Sequence, residues 1–211
     1  MKSSSARENI LKKIKQALNN PVPVPFAETK ENISFFQPST KEPELEFAEN
    51  FSALLGKFSF CINEKELTEQ LNSLIKARNW NKIFCNEKKL KDDLKKIGFD
   101  FSYTTDLKNC DASITTCEQL IARTGSIVLS SAQPSGRTVS VYAPVHICVA
   151  YTNQLVYDIK EALLNVKEKY VQLPSLITLA TGPSRTADIE KTLVVGVHGP
   201  KEVFCFLVEK K

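Results

Sequence analysis

Between residues 40 and 103 apolar strand-like runs alternate with helical segments of ten or more residues, and that alternation constrains the fold more than any other feature of the chain. A helix with Pro43 in its first turn carries Phe47, Phe51, Leu54 and Leu55 as its apolar stripe and stops near Gly56. A strand near Phe58–Ile62, a helix from Glu64 to Arg78, a strand at Lys82–Asn86 and a helix from Lys88 to Ile97 closed by Gly98 follow. A short extended piece around Phe101–Tyr103 ends the series. Strands separated by helices predict a mostly parallel sheet covered by helices on both faces, a Rossmann-like α/β arrangement. Gly98 is the only glycine between residues 57 and 124, so no G-x-G-x-x-G fingerprint follows the first strand and ordinary dinucleotide binding loses its usual signature.

The second half reads differently. A strand near Ala112–Thr115 and a short helix around Cys117–Ala122 precede strands at Ser126–Ser131, Thr138–Tyr142 and His146–Tyr151, whose short links predict antiparallel pairing. A helix from Leu155 to Lys169 and strands at Leu176–Ala180, Leu193–Val197 and Val203–Val208 complete a mixed sheet. Ahead of all this, residues 1–39 form an arm. Ser5-x-x-Glu8 makes a capping box for a helix over residues 6–19 with Ile10, Leu11, Ile14, Ala17 and Leu18 on one stripe, and Pro21, Pro23 and Pro25 enforce an extended segment after it. One isolated amphipathic helix of this length is marginal in water, so the arm is expected either to pack locally or to join protomers into a homo-oligomer. Residues 40–211 make a single α/β domain, a size that one core can serve.

Composition removes several classes. With 42% hydrophobic and 25% charged residues the chain is an ordinary globular protein. Its longest apolar runs, Leu193–Val197 and Ile147–Tyr151, fall far short of the ~20 residues a membrane-spanning helix needs. No apolar stretch with a cleavage site follows the basic N-terminus, so a cytoplasmic protein is expected. The net charge of +4 is spread over helices that also carry acidic residues, which argues for solvated faces rather than nucleic-acid binding. Six cysteines, at 61, 85, 110, 117, 148 and 205, form no C-x-x-C pair, and with two histidines they suggest no metal site. Cys61, Cys85, Cys148 and Cys205 sit in apolar segments, as buried reduced thiols do.

The polar chemistry points to loops of the second half. The turn Thr124-Gly125-Ser126 can aim backbone amides and hydroxyls at an anion, because glycine lets backbone approach a ligand closely. After the apolar run Leu176–Ala180 comes Thr181-Gly182-Pro183-Ser184-Arg185-Thr186-Ala187-Asp188-Ile189-Glu190. Arg185 there can grip a carboxylate or phosphate with two parallel hydrogen bonds, flanked by Ser184 and Thr186, or it can bridge Asp188 or Glu190 in a structural corner. Arg137, after Gly136, offers a second guanidinium, and His198-Gly199 ends a strand before Pro200, where the imidazole can be a base, a donor or a corner residue. These residues define the expected anion pocket. His146 opens an apolar strand and reads as structural.

The segments Thr124-Gly125-Ser126-Ile127-Val128-Leu129, Pro144-Val145-His146-Ile147, Gly182 to Glu190, and Gly196-Val197-His198-Gly199-Pro200, in this order and spacing, resemble the lactate-utilisation protein C (LUD-domain) family. The resemblance covers roughly residues 111–208. It implies a fold similar to the NagB/RpiA/CoA-transferase group and a part in oxidising L-lactate to pyruvate, beside two companion proteins that carry the iron–sulfur and cysteine-rich redox apparatus. This chain would be the third component, an accessory or small-anion-binding subunit with no cofactor of its own and no catalytic residue assigned. One departure is Arg123, which stands where relatives often carry an acidic residue. CoA-transferase chemistry would need a nucleophilic glutamate, for which Glu118 is the nearest candidate. A stand-alone enzyme of the sugar-phosphate isomerase, CoA-transferase or 5-formyltetrahydrofolate cyclo-ligase kind and a non-catalytic scaffold are the alternatives.

Overall fold

The computed structural model describes residues 6–19, 41–186 and 193–210. It divides into two units, Met1–Pro38 and Ser39–Lys211. In the first, α1 spans Ala6–Asn19. The capping Ser5 and the proline segment lie outside the described residues.

In the second unit the first half follows the expected alternation: α2 (Pro43–Ala53, with proline at its first turn), β1 (Lys57–Cys61), α3 (Glu64–Arg78), β2 (Ile83–Phe84) and α4 (Lys88–Lys96). Asn63 caps α3 by accepting from the Glu66 amide, and Asn79 closes it in the left-handed region at φ 54°. β3 (Ala112–Thr115), β6 (Val145–Tyr151) and β11 (Glu202–Val208) join β1 and β2 in one five-stranded sheet of order β1-β11-β6-β3-β2, with every pairing parallel.

Alternation along β6 and β11 builds two cores. Ile147, Val149, Phe204, Phe206 and Val208 face α3 and α4, packing on Leu67, Leu71, Ile75, Leu90 and Leu94. Cys148, Ala150, Val203, Cys205 and Leu207 face the other way, onto Phe47 and Phe51 of α2. Each large side chain fully buried in such a layer contributes roughly 1.5–3 kcal/mol, which is why these strands read as continuous apolar runs.

The second half departs from expectation in four ways. First, strands expected to finish one mixed sheet form a separate four-stranded one, β7-β4-β5-β8, from β4 (Gln119–Ile121), β5 (Ser126–Ser130), β7 (Leu155–Val156) and β8 (Ile177–Ala180), beside a ribbon of β9 (Arg185–Thr186) and β10 (Val194–Val195). This second sheet and α2 together cover the parallel sheet opposite α3 and α4, and α6 (Ile159–Lys169) covers the outer face of the second sheet. Second, Cys117–Ala122 holds β4 and not a helix. Leu120 and Ile121 belong to different cores, so the strand is apolar on both faces and its periodicity resembles that of a buried helix.

Third, the strand expected at Thr138–Tyr142 is a single helical turn, α5 (Val139–Tyr142), in which Val139 is buried while Val141 and Tyr142 stay exposed. It carries the chain from one sheet to the other, so β5 and β6 do not pair; antiparallel pairing joins β5 to β4 and β8 instead. Fourth, β7 precedes α6, whose cap is Asp158, so that helix starts four residues later than expected. No helix among the described residues is long and apolar enough to cross a membrane.

His146 sits on β6, 1% exposed, with Nε2 2.8 Å from the Thr115 hydroxyl. Burial pushes its imidazole pKa down to about 4 from 6.5. The folded state therefore keeps it neutral where the unfolded chain takes up a proton, so stability is lost as the pH falls from about 6.5 through 4, by up to about 3 kcal/mol. Thermal melts across this window should show that fall for the wild type and a flatter profile for His146→Gln.

Candidate functional site

Because all five strands of the first sheet are parallel, their carboxyl ends share one edge, and there the structure opens a cleft of about 1230 Å³. Ligands in open α/β sheets gather at this edge. The wall is made by residues that leave the strands: Asn63 after β1, Glu87 after β2, Thr116 and Cys117 after β3, and Glu209 after β11. Leu90 and Ile97 from the α4 region and Val149 supply apolar surface, and Lys169 enters from the end of α6.

A buried polar network lies behind this wall. The Glu87 carboxylate, on a residue 4% exposed, accepts from the Thr116 amide (3.0 Å) and hydroxyl (2.6 Å). Gln133 donates to the Thr116 hydroxyl (3.4 Å) and accepts from the Ser130 amide (2.9 Å). Ser130 donates through its hydroxyl to Glu118 (2.5 Å). Glu118, its side chain 1% exposed, also accepts from the Lys169 ammonium (2.7 Å) and the Tyr170 hydroxyl (2.8 Å). A carboxylate that deep costs several kcal/mol unless it is paired and hydrogen-bonded, and here three donors answer it.

Lys169 feels two opposing influences: burial pushes its pKa down, but the Glu118 carboxylate outweighs this and holds it above the ordinary lysine value. The Tyr170 phenol is raised by burial and by the same carboxylate. Cys117, which lines the cleft, hydrogen-bonds to the free Cys148 thiol and is buried, so its thiol pKa is held well above normal and it is a poor nucleophile. Glu118 faces three donors and almost no solvent, which leaves little room for attack on an acyl group. Among the described residues no three His, Cys, Asp or Glu side chains form a metal-ligand set.

The residues of the expected anion pocket lie elsewhere and do not all converge. Thr124 and Ser126 bond to each other through their hydroxyls (2.6 Å). A Cβ on Gly125 would stand 2.4 Å from the Phe51 amide nitrogen and one on Gly182 would stand 2.3 Å from the Leu54 carbonyl oxygen, so both glycines serve the close approach of α2. Ser184 donates its amide to Pro200 (2.9 Å) and packs beside Gly199, while Lys201 donates its amide to Pro144 (2.8 Å). These contacts tie the loop to the amino ends of β11 and β6, the edge opposite the cleft.

The loop does follow the carboxyl end of β8, but β8 is antiparallel to β5 in the second sheet. Arg185 and His198 are exposed, Thr186 is half-buried, and Arg185 pairs with no carboxylate among the described residues. Arg137 binds the Ser175 hydroxyl (2.5 Å) ahead of β8, whereas Arg185 lies beyond it. Asp188 falls outside the described residues. Arg123 is structural: it pairs with Asp158 (2.8 Å) and holds that carboxyl below its usual pKa, while Asn50 binds the Ala122 and Arg123 carbonyls.

Sequence reading missed Glu87 and Lys169, whose partners lie 29 and 51 residues away along the chain. The one available signal was an acidic residue two or three positions beyond each of two apolar strands, Glu87 after Ile83-Phe84-Cys85 and Glu118 after β3.

The architecture is that of an α/β protein with a Rossmann-like parallel sheet and an open cleft at its carboxyl edge. Residues 45–208 match the model of the LUD domain, and the chain belongs to that family. It is similar to Lactate utilization protein C of Bacillus licheniformis (35% identical over 107 residues, 49% of this chain and 45% of that protein). The Bacillus subtilis protein of the same name matches at 35% over 107 residues, with coverage of 49% and 45%. An uncharacterized protein of Neisseria meningitidis is 37% identical over 95 residues, 45% of this chain and 41% of that protein. The chain thus spans less than half the length of these curated relatives. In fold it is similar to a DUF162 family protein from Deinococcus radiodurans, with a TM-score of 0.61 at 20% identity over 82% of this chain and 99% of that one.

The close approach of α2 predicts that Gly182→Ala, at φ +88° and without room for a methyl group, loses several kcal/mol, whereas Gly136→Ala, at φ +64° in open space, loses about 1 kcal/mol. Chemical denaturation of the two variants checks the difference.

Proposed function

We propose that this chain serves lactate utilisation as a subunit that receives a small carboxylate in the carboxyl-edge cleft and leaves electron transfer to iron–sulfur and cysteine-rich partner subunits. Family membership and the names of the Bacillus relatives support the pathway. The observation that carries the binding part is Lys169, a cation fixed on the cleft wall by a buried carboxylate and still 57% exposed to a ligand. A pinned ammonium has its hydrogen-bonding direction set in advance, so a carboxylate that docks on it loses less freedom on binding.

The loops around Arg185 are the rival seat. Their guanidinium faces solvent, but the two glycines that would admit a ligand are occupied by α2. The division of labour with redox partners fits a chain whose cysteines are all buried and unpaired by disulfides.

Complementation decides between the two seats. In a strain lacking this chain, the wild-type gene should restore growth on L-lactate. Lys169→Met should leave growth at the level of the deletion strain; because it also strands the buried Glu118 carboxylate, at a cost of about 3–5 kcal/mol, the double variant Glu118→Gln/Lys169→Met, which removes the stranded charge, should melt closer to wild type and still fail to restore growth. Normal growth with Lys169→Met together with loss in Arg185→Ala would move the site to the loop.

A further inference from the structure

We propose that the free edge of β8 joins a second copy of this chain, β8 pairing antiparallel with β8 across a two-fold axis so that the second sheets of the two copies become one. β8 is an outer strand of its sheet and is hydrogen-bonded on one side, to β5. The Ser131 amide donates to the Leu176 carbonyl (2.9 Å), which fixes the alternation along the pair: Leu176, Thr178 and Ala180 turn their backbone groups toward β5, and Ile177 and Leu179 turn theirs outward. Among the described residues no hydrogen bond reaches those outward groups. The other edges of the two larger sheets are guarded: β2 and β7 are two residues long, and β1 carries the exposed Lys57. Short edges and edge lysines are what keep a sheet from pairing with another chain. β8 has neither. It lies within residues 170–184, a run without one charged side chain in a chain that is 25% charged, and Val171, Leu173, Leu176 and Leu179 of that run are exposed. The longer uncharged run at 138–157 differs because it holds β6, which is buried in the parallel sheet.

Charge and register select the occupant. Two copies of a chain with net charge +4 repel each other, except where they meet through surface that carries no charge, and a charged partner would find nothing on this edge to pair with. A two-fold contact also needs a surface complementary to itself. β8 meets that need when the axis passes through Thr178, which sets Ile177 opposite Leu179 of the second copy and Leu179 opposite its Ile177. Each of these pairs exchanges two backbone hydrogen bonds, so every outward amide and carbonyl of the strand gains a partner. Ile177 and Leu179 then form apolar cross-strand pairs on one face, and the two Thr178 side chains meet on the other. The strand alone makes a contact smaller than the ~1,200–2,000 Å² of a stable interface, and the exposed Val171, Leu173 and Leu176 beside it enlarge that contact. The dimer is therefore reversible, with a dissociation constant in the roughly micromolar range.

Sedimentation velocity of the full chain over a wide concentration series tests this. The mass should move from 23.6 kDa toward twice that value as concentration rises. Leu179→Lys, which puts one lysine on the edge of each copy, should raise the dimer dissociation constant at least about tenfold. Its melting temperature should stay close to that of the wild type, because the side chain is already 38% exposed. Thr178→Cys reads the register independently of that variant: mild oxidation should link two copies through the residue on the axis, whereas Leu179→Cys, off the axis, should stay unlinked. The native cysteines are all buried and give no background. A wild type that remains at 23.6 kDa at every concentration overturns the inference. So does a dimer that Leu179→Lys leaves intact, which would place the contact elsewhere, the amino-terminal arm included, and so does a dimer in which Thr178→Cys fails to cross-link.

Discussion

The parallel pairing of β6 with β11 is the constraint on which the rest of the fold depends. Its register runs from Glu202 opposite Val145 to Val208 opposite Tyr151, and nearly every residue along it is buried on one face or the other. Two strands buried on both faces need two covering layers, and the chain supplies α3 with α4 on one side and α2 with a second sheet on the other. The common strand direction also brings the loops after β1, β2, β3, β6 and β11 to a single edge. The cleft is a result of that topology more than of any one loop sequence.

The polar network shows how a second set of constraints is laid over the first. Glu118 and Glu87 are carried by the ends of apolar elements into positions where neither could remain without donors, and the donors come from three separate places: Thr116, Ser130 and the adjacent pair Lys169 and Tyr170. Such a network specifies one arrangement of the loops around β3 and β5, since displacement of any member strands a buried oxygen. Rigidity at the wall is thereby separated from the hydrophobic cores that support it.

Much of the framework was legible in the chain itself. The alternation up to Gly98, the proline-started α2, the glycine stops and the apolar strands β6 and β11 are local patterns, and they placed their elements within a few residues. Where the same apolar density served two faces, as in Leu120-Ile121, periodicity could not distinguish strand from helix. Glycine produced the main misdirection about the site. Positive φ at Gly125 and Gly182 marks a close approach of backbone, and a sequence does not say whether a ligand or a helix makes it; here α2 does. The ammonium at position 169 and the carboxylate at position 118 meet only once the second sheet is packed, and no window of sequence contains both.

The central strands hold one more property of consequence. Cys148 and Cys205 stand opposite each other on β6 and β11, Cys117 hydrogen-bonds to Cys148 from the cleft side, and hydrogen bonding among these thiols together with burial holds Cys117 and Cys148 well above the ordinary thiol pKa. Sulfur in that state is insulation. Peroxides or disulfides that reach the cleft meet no thiolate to attack them, so these sulfurs remain small, soft packing atoms under oxidants that would cross-link more exposed thiols.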